Sequence, residues 1–314
     1  MKLLTFTHNG KSRIGAIENE KVVDLHAALE LKFETEGKLR AAQLAEAYIP
    51  EDMTGFLQGG KESLDLAQES ISFALETETA VQLVFDREEV KIEAPVPAPG
   101  KMICVGHNYR EHILEMKREL PAFPVVFAKF ANTVIGPEDN IPFYPVSDQL
   151  DYEAEFAFVI GKRAKNVTQA NALDYVAGYT IVNDITYRDL QRRTLQWLQG
   201  KSIDGSAPMG PWLVTSDELV DPSDLDIVLT VNGENRQKSN TGNLVFSVQY
   251  LIEFLSKLMT LEPGDIILTG TPGGVGVARD PQIFLKDGDY VRIEVDKVGV
   301  LENKVVKQSI GVTV

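Results

Sequence analysis

The run Asp151-Tyr152-Glu153-Ala154-Glu155-Phe156-Ala157-Phe158-Val159-Ile160-Gly161-Lys162 sets three acids into an otherwise apolar stretch. Such alternation predicts a strand. Successive strand side chains point to opposite faces, so Asp151, Glu153 and Glu155 share one face, and Tyr152, Ala154, Phe156, Phe158 and Ile160 the other. Residues two apart lie about 6.6 Å from one another along a strand, which lets long carboxylates converge on one cation. Either the acidic face is solvated, or the acids share a counter-ion.

A second acid stands in a similar setting. In Tyr179-Thr180-Ile181-Val182-Asn183-Asp184-Ile185-Thr186 a β-branched run ends in Asp184, as expected of a strand that delivers a carboxylate to a site at its tip. Glu153, Glu155 and Asp184, with neither Cys nor His nearby, make a hard, all-oxygen ligand set. That set suits Mg²⁺ or Mn²⁺ and argues against Zn²⁺.

With these residues in view, the chain resembles the fumarylacetoacetate hydrolase family. The resemblance is carried by Asp151-x-Glu153-x-Glu155, Asn183-Asp184-x-Thr186-x-Arg188-Asp189-x-Gln191, Gly200-Lys201-Ser202 and Thr269-Gly270-Thr271-Pro272-x-Gly274-Val275-Gly276. Gly106-x-Asn108-Tyr109-x-x-His112-x-x-Glu115 is similar to that family's mobile lid. The match runs from about Lys101 to Asn303, in family order, and residues 1 to about 95 resemble a looser N-terminal domain of some bacterial members. The resemblance implies an α+β fold, a mixed β-sandwich roll of curved sheets with flanking helices, and a homodimer. It also implies a Mg²⁺- or Mn²⁺-dependent enzyme cleaving a C–C bond in a small 2,4-dioxo acid of acylpyruvate or fumarylpyruvate type. Decarboxylation of oxaloacetate and isomerisation of hydroxylated dienoic acids are the alternatives within the family, and a non-catalytic binding protein on the same fold is a further one.

Site roles follow from the same resemblance. The His112–Glu115 pair activates water when the lid closes, and Lys201, Gln191 and Thr271 bind developing charge. Lys129 helps to hold an anionic group, although a plain strand lysine would face solvent. Without the resemblance, His112 and Glu115, three apart on a helix, also read as an ordinary surface pair. Arg188 is read as pairing with Asp189 to orient the metal site, while also standing near bound substrate. Tyr187 departs from the family, which usually has a small residue there, and is expected to reshape the wall behind Asp184. His107 is read as a local contact.

The remaining sequence bounds the function. Of 314 residues, 31 are Lys or Arg and 46 Asp or Glu, a formal charge of −15. So acidic a surface repels nucleic acid and anionic membranes, and an anionic 2-oxo acid then needs local positive charge. The single cysteine, Cys104, lies in the apolar run Met102-Ile103-Cys104-Val105 and reads as a small buried hydrophobe. The first residues hold no apolar run of secretory length and no stretch is long enough to span a bilayer, so a cytoplasmic protein is expected. Gly200-Lys201-Ser202 is not a P-loop end, because position 195 is Leu. The 270–276 turn lacks dinucleotide-binding spacing. It suits either a plain turn or a close approach of backbone amides to a carboxylate.

Along the chain, residues 3–25 predict an antiparallel meander with a hairpin at Asn9-Gly10. Residues 26–49 and 61–76 predict helices broken around Pro50, Gly55, Gly59 and Gly60. Pro95-Val96-Pro97-Ala98-Pro99-Gly100 predicts a linker, dividing the chain into a small domain over 1–97 and a catalytic domain over 98–314. Beyond it, strands are expected at 101–106, 125–130, 212–215, 226–232, 266–271 and 290–296, with a tight turn at Asn232-Gly233. Helices are expected at 109–117, capped by Asn108, and at 168–177, 188–199 and 247–259.

Overall fold

Strand Ala154–Ile160 is buried along its whole length, which fixes the layers of the molecule in this computed structural model, which describes residues 1–309. One face, through Phe156 and Phe158, packs into a core shared with Ile227, Leu229, Ile293 and Leu301; the other, through Ala157 and Val159, packs with Leu29, Phe56 and Ala67 of the N-terminal helices. A strand buried on both sides reads as a continuous apolar run, and only Glu155 departs from that rule.

The central sheet runs Val84–Asp86, Lys21–Asp24, Lys11–Glu18, Lys2–His8, Ala207–Thr215, Val176–Asn183, Ala154–Ile160, Ile266–Leu268, Met102–Gly106 and Val125–Lys129. A second sheet, Glu234–Asn240, Asp226–Val231, Tyr290–Val295, Gly299–Lys307 and Ile141–Phe143, closes over one face. The fold is therefore α+β with mixed sheets, as expected. The N-terminal meander continues the central sheet: Lys2 and Leu3 pair with Val214 and Leu213. The Pro95–Gly100 segment is crossed by that shared sheet and by a shared apolar core.

Helix Val248–Leu258 forms as its periodicity predicts. Ser247 caps it by accepting from Tyr250 N, and Val248, Leu251, Ile252 and Leu255 bury its apolar stripe. The tight turn at Asn232-Gly233 is present, both residues having positive φ, 52° and 78°.

Several expected elements are shorter. Residues 26–49 form two helices, Leu25–Thr35 and Ala41–Tyr48, because Gly37 takes a φ of +72° and ends the first. Residues 168–177 divide into a 3₁₀ turn, Gln169–Tyr175, and the start of strand Val176–Asn183, whose pairing with Ala154–Ile160 overrides local helix preference. Residues 188–199 likewise resolve into Arg188–Arg192 and, further on, Leu198–Lys201. These short helices abut so closely that a Cβ on Gly200 would lie 2.4 Å from Gln191 N and Tyr187 O.

The acidic run is not one strand. It breaks at Tyr152 and Glu153 into Leu150–Asp151 and Ala154–Ile160. Side chains stand in for the missing ladder: Glu153 N donates to Asn183 Oδ1 (3.1 Å), and Ala154 N to Gln237 Oε1 (2.9 Å). The break sends Asp151 away from the other acids.

Candidate active site

The strand ends Glu153–Glu155 and Asn183–Asp184 lie side by side, because Ala154 pairs with Asn183 and Glu155 with Val182. That register brings one carboxylate oxygen from each of Glu153, Glu155 and Asp184 within 4.8 Å of the others. All three side chains are buried, so the solvated reading of the acidic face fails.

Buried cations surround the acids. Lys201 Nζ lies 2.6 Å from both Glu153 Oε2 and Asp184 Oδ2. Lys129, expected either to bind an anion or to face solvent, is 1% exposed and lies 2.9 Å from Asp184 Oδ1, while donating to Ile185 O and Ser206 Oγ. It therefore braces a carboxylate instead of facing bulk water. Arg188 does not pair with Asp189, whose carboxylate accepts from Ser147 Oγ instead. Its guanidinium spans Asp151 Oδ2 (2.8 Å) and Glu153 Oε1 (2.6 Å) and donates to Gln191 Oε1 (3.2 Å).

Asp151 is a brace. Its carboxylate accepts from Gly276 N, Val277 N and Arg188 Nε, tying the glycine-rich turn to the acidic strand. Burial works against the Glu153 carboxylate, yet the Lys201 ammonium and Arg188 guanidinium outweigh it and hold the group well below the usual carboxylate range. Glu155 goes the other way: burial and the nearby Asp184 and Glu153 charges push it well up. Burial lowers the Lys129 ammonium, whereas Lys201 is raised by Asp184 and Glu153 despite its burial.

This donor set fits a hard divalent cation. It is all oxygen, it is buried, and Asp184 Oδ1 makes no hydrogen bond among the described residues, only its ion contact with Lys129. Four buried acids, Asp151, Glu153, Glu155 and Asp184, face three buried bases, Lys129, Arg188 and Lys201. A divalent ion would turn that surplus of negative charge positive, which suits an anionic ligand.

The segment expected to form a lid lies against this site. Helix Arg110–Glu115 brings His112 Nδ1 to 2.7 Å from Glu115 Oε1, and Glu115 Oε2 accepts from Gly274 N at 2.9 Å. His112 is buried, so the surface-pair reading also fails. Asn108 is not the helix cap. Its amide donates to Phe246 O and Thr269 O and its oxygen accepts from Phe246 N, so it locks the lid's root to two other segments. Gly274 is required here: it has a φ of +104°, and a Cβ would lie 2.0 Å from Arg236 O.

Between lid and acids lies a cavity of about 70 Å³, lined by His112, Glu153, Glu155, Arg188, Gln191, Lys201 and Thr271 among others. Every expected site residue except Asp184, Lys129 and Glu115 thus reaches the cavity wall; Asp184 touches Lys201 and Glu115 touches His112, both on the wall, while Lys129 stands one step further back, against Asp184. Tyr187 is not on that wall. Its hydroxyl accepts from Tyr144 N and donates to Pro142 O, which points the ring away behind the site.

Sequence reasoning passes over Gln237, which orders the turn by donating to Thr271 Oγ1 and Pro272 O. It also passes over Trp197 and Arg118, both on the cavity wall. Gln237 carries no signal beyond a polar residue in a strand, because its partners are distant in the chain.

Residues 101–306 match the fumarylacetoacetate (FAA) hydrolase C-terminal family. A mitochondrial oxaloacetate tautomerase of Bos taurus is 45% identical over 263 residues, 83% of this chain and 82% of the relative. A fumarylacetoacetate hydrolase from Exiguobacterium antarcticum has a similar structure, with a TM-score of 0.80 at 34% identity over 98% of this chain and 100% of that one. A maleylpyruvate hydrolase from Sphingobium, solved with manganese(II) and pyruvate, aligns over the same shares with a TM-score of 0.75 at 30% identity. Among the described residues no helix is long and apolar enough to cross a membrane. The chain belongs to the fumarylacetoacetate hydrolase family and is an enzyme of it.

Proposed function

We propose that this enzyme, with Mg²⁺ or Mn²⁺ held by Glu153, Glu155 and Asp184, moves a proton at the carbon next to the keto group of a small 2-oxo acid. Keto–enol tautomerisation of oxaloacetate is the reaction put first, because the Bos taurus relative carries that name at 45% identity. The observation that carries the reading is buried His112, on the wall of the cavity that also exposes Glu153, Glu155 and Lys201, with Glu115 2.7 Å behind it.

Bound divalent metal would polarise the keto oxygen and acidify the neighbouring C–H. Glu115 fixes the His112 ring through Nδ1, which leaves Nε2 to take a proton from substrate carbon or return one. Lys201, fully charged between two carboxylates, is a donor for the oxygen on which negative charge develops. Gln191 is oriented by Arg188 and Thr271 by Gln237, so both present fixed polar groups to the ligand.

The same pair also suits C–C hydrolysis of a 2,4-dioxo acid, the reaction placed first on sequence alone, with His112 activating water. The maleylpyruvate hydrolase neighbour supports this second reading. The proposal keeps the expected homodimer and the cytoplasmic placement, although the Bos taurus relative is mitochondrial.

The test is a panel. Purified protein with Mg²⁺ or Mn²⁺ is given enol-oxaloacetate, fumarylpyruvate and acylpyruvates, and ketonisation and pyruvate release are followed separately. Metal-dependent ketonisation that disappears with chelator supports the first reading. Pyruvate release from dioxo acids without ketonisation would replace it with the second.

A further inference from the structure

Arg118 and Arg192 reach the wall of the same cavity from two different elements, one following the helix Arg110–Glu115 and the other ending the helix Arg188–Arg192. Neither makes a salt bridge among the described residues, although the chain carries a formal charge of −15 and acids are plentiful. They differ in this from Arg188, whose charge is taken up by Asp151 and Glu153. Partial burial and the neighbouring Arg188 and Arg118 charges lower the Arg192 guanidinium, against a smaller opposing effect of Asp151.

The partner that Arg118 does have preserves its charge. Arg118 NH1 donates to His107 Nε2 at 3.0 Å, so that nitrogen is an acceptor and the ring is neutral. Burial, with Arg118 and His112 close by, lowers His107 to about 4, which keeps it neutral through the physiological range. A carboxylate in the place of His107 would hold the guanidinium equally well but cancel its field. A neutral imidazole positions the cation and leaves it free for a ligand.

Resting on the reading above, in which the 2-oxo acid end of the substrate sits at Glu153, Glu155 and Asp184, we infer that Arg118 and Arg192 clamp a second, distal carboxylate. They thereby select dicarboxylic over monocarboxylic 2-oxo acids, with His107 as a positioning residue for Arg118. Because Arg118 follows the lid, a distal carboxylate would also favour the closed lid over the open one.

The test uses two four-carbon acids that differ only at C4: oxaloacetate, with a carboxylate there, and 2-oxobutyrate, with a methyl. Binding to the intact protein is read in the first second after mixing by quenching of Trp197, which lines the cavity. Trp212, whose indole donates to Val298 O away from it, gives the constant background. The parent, with Mg²⁺, is expected to bind oxaloacetate roughly tenfold or more tightly than 2-oxobutyrate, the worth of one or two charge-assisted hydrogen bonds. Arg118→Gln and Arg192→Gln should each lower that ratio by roughly tenfold, and Arg118→Lys should restore part of it. Metal-dependent binding with equal affinity for the two acids, or a ratio untouched by both substitutions, would overturn the clamp and leave the metal reading standing. Quenching by either acid that ignores chelator would overturn the metal reading and the clamp with it.

Discussion

At the residue scale, the site depends on a few buried charges that cannot be exchanged without leaving a partner exposed in low dielectric. Glu153→Gln, Glu155→Gln and Asp184→Asn should each remove most Mg²⁺ or Mn²⁺ binding in a calorimetric titration, since an amide is a poorer ligand for a hard cation. Titrations matching the parent for all three would exclude the site. His107 sets a pH dependence. Its folded value, about 4, lies below its ordinary 6.5, so the unfolded chain takes up a proton first as pH falls. Its contribution is absent above about 6.5 and becomes increasingly destabilising down to about 4. His107→Gln should therefore flatten the loss of urea stability between those limits; an acid limb identical to the parent's would refute this. Tyr187, expected to crowd the pocket, instead ties residues 142–144 through its hydroxyl, so Tyr187→Phe should cost about 1 kcal/mol of stability and leave substrate affinity alone.

At the scale of elements, the lid and the glycine-rich turn form one device: Glu115 orients His112 with one oxygen and takes Gly274 N with the other. Gly274→Ala must push against Arg236 O, 2.0 Å from the new Cβ, and so displace the amide that Glu115 holds. We expect it to lower kcat more than it lowers the urea midpoint; unchanged kcat would separate turn from lid. This coupling is only partly legible in the sequence. His112 and Glu115 stand out because helical spacing puts them on one face, and Asp184 because it ends a β-branched run. The Tyr152–Glu153 break, the swing of Asp151 to Gly276 N, and the pairing of Arg188 with Asp151 and not Asp189 all depend on contacts across thirty residues or more. Local pattern carries no information on those. For the same reason Asn108 reads as a cap, though it joins segments 138 and 161 residues away.

At the scale of the whole molecule, the sequence signals two domains through its proline-rich stretch, while the sheet runs on through Lys2–His8 and Ala207–Thr215 and the N-terminal helices share a core with Ala157, Val159 and Val182. A fragment of residues 98–314 would expose that face of the sheet, so it should aggregate or bind a hydrophobic dye strongly; a monodisperse fragment with the parent's urea midpoint would show the halves to be independent. The central claim is that the protein moves a proton through His112 above the carboxylate triad. Its most direct measurement is the rate of enol-oxaloacetate ketonisation by His112→Ala with saturating Mg²⁺, alongside metal-dependent oxalate binding to the same variant. A fall of roughly 10²–10⁴ in kcat is expected, the usual worth of a positioned acid–base group, with oxalate still bound. Ketonisation at the parent rate, with oxalate bound as before, would contradict it.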